Sequence, residues 1–202
     1  MLVRAYMALE EKYGEKPLKI LFVGHNPSFH SWESGHYFSQ PSNRFWKLLL
    51  QSGLADGDIN ALNDDILLEI SGYGFTDVIR TPNSSSNNLK RKDFVEQRPF
   101  FYKRILNNAI RVKEHPEYVA FVGKRQFAML FEPPLRRVNL GVQNIRPPGM
   151  PLDCEIWVLS SPSGRAVMNW EARLLPYCLL YTSPSPRDVE ESRMAGWAWK
   201  KK

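Results

Sequence analysis

The residues of this chain that can do chemistry sit in two loops. The first reads Gly24-His25-Asn26-Pro27-Ser28, continues to Gly35-His36-Tyr37-Phe38, and ends at Pro41-Ser42-Asn43-Arg44-Phe45-Trp46. A side-chain amide such as Asn26 can hold a water through its oxygen, but it does not take up a proton near neutral pH. The plainer role of an Asn-Pro pair is a turn. His25, His30 and His36 carry donor atoms that metals use. Their spacings are loop spacings and no acidic cluster accompanies them, so no metal is expected. The second loop, Ser161-Pro162-Ser163-Gly164-Arg165, ends in a guanidinium. Such a group can stack on a planar ring and pair with phosphate at once, or merely stand solvated on a turn. Asn43, Arg44, Lys124 and Arg125 stand at expected helix starts, where backbone N–H groups and basic side chains favour phosphate. Gly123-Lys124 is no P-loop, because the preceding Gly and the following Ser/Thr are missing.

Four short apolar runs must carry these loops: residues 18–24 (LKILFVG), 74–79 (GFTDVI), 118–123 (YVAFVG) and 155–160 (EIWVLS). The first and third are almost continuously apolar, as strands buried on both faces are. Helical patterns lie between them. Residues 42–52 follow Pro41 and stop at Gly53. Residues 63–70 open with Asn63 as the N-cap candidate. Residues 101–113 place Phe101, Ile105, Ala109 and Val112 on one stripe, with Pro99 positioned to start that helix. A fourth helix is expected over 124–131. Strands alternating with helices argue an α/β domain with a parallel sheet, and such sheets bind ligands beyond the carboxyl ends of their strands. The loops after Gly24, Ile79, Gly123 and Ser160 are therefore the informative ones. Residues 80–92 (RTPNSSSNNLKRK) read as a mobile, turn-rich loop, and residues 133–151 as a Pro/Gly-rich one bearing Arg136, Arg137 and Arg146.

The 202 residues suit one domain. They are 43% hydrophobic and 24% charged, and no apolar run approaches the ~20 residues of a membrane span. Two cysteines, Cys154 and Cys178, fit a reducing compartment and exclude a four-cysteine metal site. The net charge of +6 favours a polyanionic partner. Residues 178–188, CLLYTSPSPRD, equal the translation of a common transposase-library sequencing adapter. The spacing to Ser192-Arg193-Met194 also suits its eight-base index. Residues 178–202 are therefore expected to be an artefactual tail beyond a single domain of residues 1–177, with the native C-terminus lost. Removing them leaves a net charge of +4, which weakens the argument from basicity.

Chained in order over residues 19–168, these segments resemble the mismatch-specific uracil/thymine-DNA glycosylase family of the uracil-DNA glycosylase superfamily. That family carries G-x-N-P after its first strand, a G-H/F-x-F/Y turn, N-R/H-F-W opening the next helix, and a Pro-Ser-rich loop after its last strand. Gly-Phe-Thr at 74–76 and Gly-Lys at 123–124 match two further segments. The resemblance implies a three-layer α/β/α sandwich on a short, mainly parallel four-stranded sheet. It also implies a monofunctional glycosylase that hydrolyses the bond between uracil and its sugar, acting on double-stranded DNA with a G·U or G·T mismatch. The enzyme is expected to be a monomer without cofactor, metal or membrane attachment, in the nucleus if eukaryotic and otherwise in the cytoplasm.

In that reading Asn26 holds the hydrolytic water beneath an oxocarbenium-like sugar. Without a general base, typically worth about 10²–10⁴-fold, the enzyme is expected to be slow. Gly24 lets the following backbone approach the base, Phe38 stacks on it, and Ser31 lies near carbon 5, where a small hydroxyl would admit 5-substituted pyrimidines. The ring of His25 hydrogen-bonds the base or stabilises its anion, or its backbone acts while the ring packs nearby. Asn43 lines the pocket or braces the first loop. Ser161, Pro162, Ser163, Gly164 and Arg165 form a wedge that fills the gap left by the flipped nucleotide, with Arg165 at its tip. Arg44, Lys124 and Arg125 contact phosphates. No lysine is placed for a lyase step. His25, Ser28 and Ser161 depart from the family pattern, and they motivate the alternative of a non-catalytic lesion- or mismatch-binding relative. A nucleotide-metabolising α/β enzyme with similar loops is the more distant option.

Overall fold

In the computed structural model the described residues are 9–83 and 88–184. Strands β1 (Ile20–Gly24), β2 (Tyr73–Asp77), β3 (Tyr118–Val122), β4 (Gly141–Val142) and β5 (Glu155–Leu159) form one sheet in the order β2-β1-β3-β5-β4. The four expected strands are all parallel to one another. The fifth corrects the expected count. β4 is a two-residue edge strand, antiparallel to β5, that pairs Gly141 with Val158 and Val142 with Trp157. Two residues are too few to show any period, which is why the Pro/Gly-rich segment hides it.

Alternate residues of each strand feed two cores, as the period of two requires. Ile20, Phe22, Phe75, Ala120 and Leu159 face helices α2 (Phe45–Ser52) and α6 (Trp170–Thr182). Leu21, Val23, Val119, Phe121 and Val158 face α4 (Arg91–Val112) and α5 (Lys124–Ala128). The result is the expected three-layer α/β/α sandwich. Helices α1 (Phe29–Ser34) and α3 (Asp64–Ser71) complete it.

Helix α4 is ten residues longer at its start than the sequence pattern indicates, and Pro99 lies inside it. An internal proline costs about 3 kcal/mol. Phe94, Phe101, Ile105 and Ala109 are all buried along this helix, and a buried phenylalanine or isoleucine stabilises by roughly 1.5–3 kcal/mol. Packing therefore outweighs the proline. The true start is set by Asp93, whose carboxylate accepts the Lys90 N–H at 2.6 Å. Of the expected mobile loop, Asn83 is fixed by donating its N–H to the Pro27 carbonyl at 3.0 Å, and residues 84–87 lie outside the described ones.

Helix α6 crosses the expected domain limit at residue 177. Residues 178–182 are helical, and Leu180 is buried in the same core as Tyr177. The remainder of the suspected tail, residues 185–202, lies outside the described residues. Among the described residues no helix is long and apolar enough to cross a membrane.

Candidate active site

A cavity of about 620 Å³ opens where β1, β2 and β5 end, within the size range of ligand pockets. The structure brings His25, Asn26, Ser31, Phe38 and Asn43 from the first loop to its wall, and all five wedge residues from Ser161 to Arg165.

Asn26 has both ends of its amide engaged. Nδ2 donates to the carbonyl of Pro27 at 2.9 Å, and Oδ1 lies 2.9 Å from Nδ1 of His25. The oxygen can only accept, so His25 carries its proton on Nδ1. An amide oxygen has two lone pairs, and one is left for a water. The ring of His25 packs edge-on against Phe94, with centroids 5.0 Å apart. Burial pulls its pKa down to about 4, Arg125 adds to the shift, and the bond to Asn26 opposes it. The imidazole is neutral at physiological pH and brings no positive charge to a departing anion. Of the roles open to His25, the structure supports packing of the ring, and it adds another: holding the Asn26 amide.

Phe38 is one of two non-glycine residues with positive φ (54°) among those described. Such a conformation costs on the order of 1–3 kcal/mol and persists where its surroundings enforce it. Asp64, fully buried at the start of α3, accepts the Tyr37 N–H at 2.9 Å and pairs with Nδ1 of His36 at 2.8 Å. Trp46 Nε1 donates to the Tyr37 carbonyl. Held this way, the Phe38 ring stacks on Phe45 with centroids 4.0 Å apart and lines the cavity. Ser31, also buried, joins a serine network. Its N–H bonds to Ser28 Oγ at 3.0 Å, and its hydroxyl accepts from Ser28 and Ser39. Asn43 Oδ1 accepts the Phe45 N–H, bracing its own helix start rather than the first loop. The helix consequently begins at Phe45 rather than Ser42.

His36 does meet two acids, contrary to the expectation that none accompanies the histidines. Ligand atoms of His36, Asp64 and Asp65 lie within 4.8 Å of one another. Lys12 Nζ stands 2.7 Å from Asp65 and 3.8 Å from Asp64, so an ammonium already supplies a cation there.

The wedge loop is tied to the first loop. Arg44 N–H donates to the Pro162 carbonyl at 2.9 Å. A Cβ on Gly164 would lie 2.8 Å from the carbonyl oxygen of Ser42, so only glycine permits this approach. Arg165 is exposed, and with Arg44 and Lys47 it borders a shallower groove beside the cavity. Lys124 and Arg125 line neither. Lys124 is exposed, and Arg125 donates to the carbonyl of Leu89.

Two residues were missed. Asp77 ends β2 opposite Gly24, is 3% exposed, and lines the cavity. A Cβ on Gly24 would fall 2.1 Å from Asp77 Oδ1 and 3.6 Å from the Phe38 ring, so the glycine makes room for this carboxyl beside the ring edge. Asp77 Oδ2 makes no hydrogen bond among the described residues, and Arg80 Nη1 stands 3.9 Å from it. Burial pushes its pKa up to about 7, with Glu11 adding and Arg80 and Arg104 opposing. An acid inside a run as apolar as GFTDVI was the available signal. The second is Arg173 of α6, fully buried, whose guanidinium reaches the wedge loop. It stands in a helix that Pro176 and the doubtful tail concealed.

A family profile described as the uracil DNA glycosylase superfamily matches residues 11–187. Over 93 residues the chain is 37% identical to a G/U mismatch-specific uracil DNA glycosylase of Schizosaccharomyces pombe. That alignment covers 45% of this chain and 28% of the relative, so the chain matches little more than a quarter of that protein's length. With the profile spanning most of its length and the cavity at the expected strand ends, the chain belongs to the uracil DNA glycosylase superfamily.

Proposed function

We propose that this protein is a monofunctional DNA glycosylase that hydrolyses the N-glycosidic bond of uracil flipped out of a G·U mismatch, as the first step of base excision repair. The observation that carries the reading is Asn26: it lines a cavity of suitable size, its oxygen keeps one lone pair, and Phe38 stands in the same wall. A base stacked on Phe38 gains about 1–3 kcal/mol, and its polar edge meets Asp77. A neutral carboxylic acid there offers a donor beside an acceptor. That complements the acceptor–donor edge of uracil. The bond to the sugar breaks with the electron pair leaving on the base, a water on Asn26 Oδ1 adds to the sugar carbon, and the proton that this water loses passes through solvent to the departing uracil anion. The Ser161–Arg165 wedge fills the vacated stack, and Arg44 and Arg165 take backbone phosphates. Lys124 and Arg125 stand apart from the groove and are reserved for flanking DNA.

The small hydroxyl of Ser31 leaves thymine and other 5-substituted pyrimidines as further substrates. The described lining of the cavity comes from one chain, and the proposal includes action as a monomer. Access to DNA places the protein in the nucleus of a eukaryote or the cytoplasm of a prokaryote. The test is incubation with duplexes carrying G·U, A·U or G·T pairs, followed by alkaline cleavage of abasic sites. Nicks at uracil that vanish with Asn26→Ala support the proposal. Tight, salt-dependent binding without nicks would instead identify a lesion-binding relative.

A further inference from the structure

Arg173 is a fully buried cation that makes no ion pair with any described acid. Its partners are backbone carbonyls of the wedge segment. Nη1 donates to Ser161 at 2.8 Å and to Ser163 at 3.0 Å, and Nη2 donates to Ala166 at 2.6 Å. The helix beneath is fastened to the same segment. Ser160 Oγ donates to the Arg173 carbonyl at 2.6 Å, and Tyr177 Oη donates to the Ser160 carbonyl at 3.0 Å.

The peptide unit is planar and trans, so its C=O and N–H point in opposite directions. Turning the Ser163 carbonyl onto Arg173 turns the Gly164 N–H away from it, and the Ala166 carbonyl does the same for the Val167 N–H. The Pro162 carbonyl is taken by the Arg44 N–H. Among the described residues, the carbonyls of Gly164 and Arg165 are the two in residues 161–166 left without a partner. A guanine facing this loop presents two N–H donors on its pairing edge; an adenine presents a different pattern.

Building on the glycosylase reading, we infer that Arg173 is a positioning residue that fixes which backbone groups of the wedge face DNA, and so sets the preference for guanine opposite the excised base. It holds three carbonyls, that of Ser163 together with the Ala166 N–H at 3.1 Å, and leaves two. The clamp acts on duplex substrates only, because a single strand has no opposite base to read.

The test compares wild type, Arg173→Met and Arg173→Lys on G·U duplex, A·U duplex and single-stranded uracil DNA. Affinity for a duplex with an abasic site opposite G or A is measured alongside. For Arg173→Met, kcat/KM on G·U is expected to fall on the order of tenfold to a hundredfold, as small misplacements do. Single-strand activity should hold within about threefold, and the G·U/A·U ratio should move toward one. Arg173→Lys, with fewer donors, is expected to fall between. Gly164→Ala, whose methyl would press on Ser42, displaces the loop from its other side and should reproduce the loss of ratio even if Arg173→Met folds poorly. An equal loss on duplex and single strand with the G/A ratio unchanged in both the Met and Ala variants overturns the inference, as does no loss at all. A wild type that binds but never nicks refutes the glycosylase reading, and the binding ratio still decides the clamp.

Discussion

Replacing Asp77 with asparagine should remove a pH dependence from folding stability. In the unfolded chain this carboxyl titrates near its ordinary 3.8; in the folded protein it holds its proton to about pH 7. By pH 5 the unfolded group is ionised while the folded group is not, so the native state binds more protons between pH 5 and pH 7. Stability therefore falls as pH rises through that window and is level above it. At about 1.4 kcal/mol per unit over two units, the loss from pH 5 to pH 8 is on the order of 3 kcal/mol. Asparagine is close in shape and does not titrate, and its own offset is the same at both pH values. The stability difference between wild type and Asp77→Asn should therefore shift by about 3 kcal/mol, in the variant's favour, on going from pH 5 to pH 8. For a domain of this size that equals roughly 6–12 °C in the gap between melting temperatures. Urea unfolding at both pH values measures it. Parallel pH profiles for the two proteins would refute the argument and place the ionised carboxylate, satisfied, in the native state.

Three further outcomes are expected. Phe38→Ala removes the stacking surface and should raise KM for a uracil duplex by roughly tenfold, with a smaller change in kcat, since stacking is worth about 1–3 kcal/mol per base; single-turnover titration separates the two. Arg44→Ala and Arg165→Ala should each lower the salt slope of duplex binding by about 0.9, which fluorescence anisotropy at several salt concentrations reads, while Lys124→Ala should lower it only on a duplex long enough to supply flanking DNA. Truncation after residue 184 should preserve the melting temperature. Truncation after 177 should lower it, because it removes Leu180 from the core, a side chain worth roughly 1.5–3 kcal/mol; equal melting temperatures would put the domain limit at 177, as the adapter match indicates.

The sheet was legible because its four long strands are apolar runs bounded by loops of a different composition. The first loop was legible because Asn26, Phe38 and Asn43 come in a fixed order over a short stretch. What stayed hidden depends on distant pairing. Phe94 lies upstream of a proline that normally opens a helix, and only its burial against the sheet and His25 carries α4 back to Arg91. Asp64 stands 27 residues from the turn whose backbone it holds. Arg173 has no acid at helical spacing to advertise it, because its partners are carbonyls, and every residue has one.

Asp77 bears most on the chemistry, because burial keeps His25, the titratable neighbour of Asn26 in the sequence, neutral at physiological pH. Such a group has two uses: as a neutral acid it reads the base, and as a carboxylate it takes a proton from the water. Its place against Gly24 and the edge of Phe38 favours the first. An asparagine there keeps a donor beside an acceptor, so Asp77→Asn should excise uracil within about tenfold of wild type at pH 6. Wild-type activity should decline above pH 7, where the carboxylate would face a carbonyl oxygen of the base, and the variant's should not. A general base behaves oppositely. Its loss would cost about 10²–10⁴-fold at every pH, and the wild-type rate would climb through pH 7. Single-turnover excision from a G·U duplex between pH 5.5 and 8.5 separates the two, and a rising wild-type profile would move Asp77 from the base to the water.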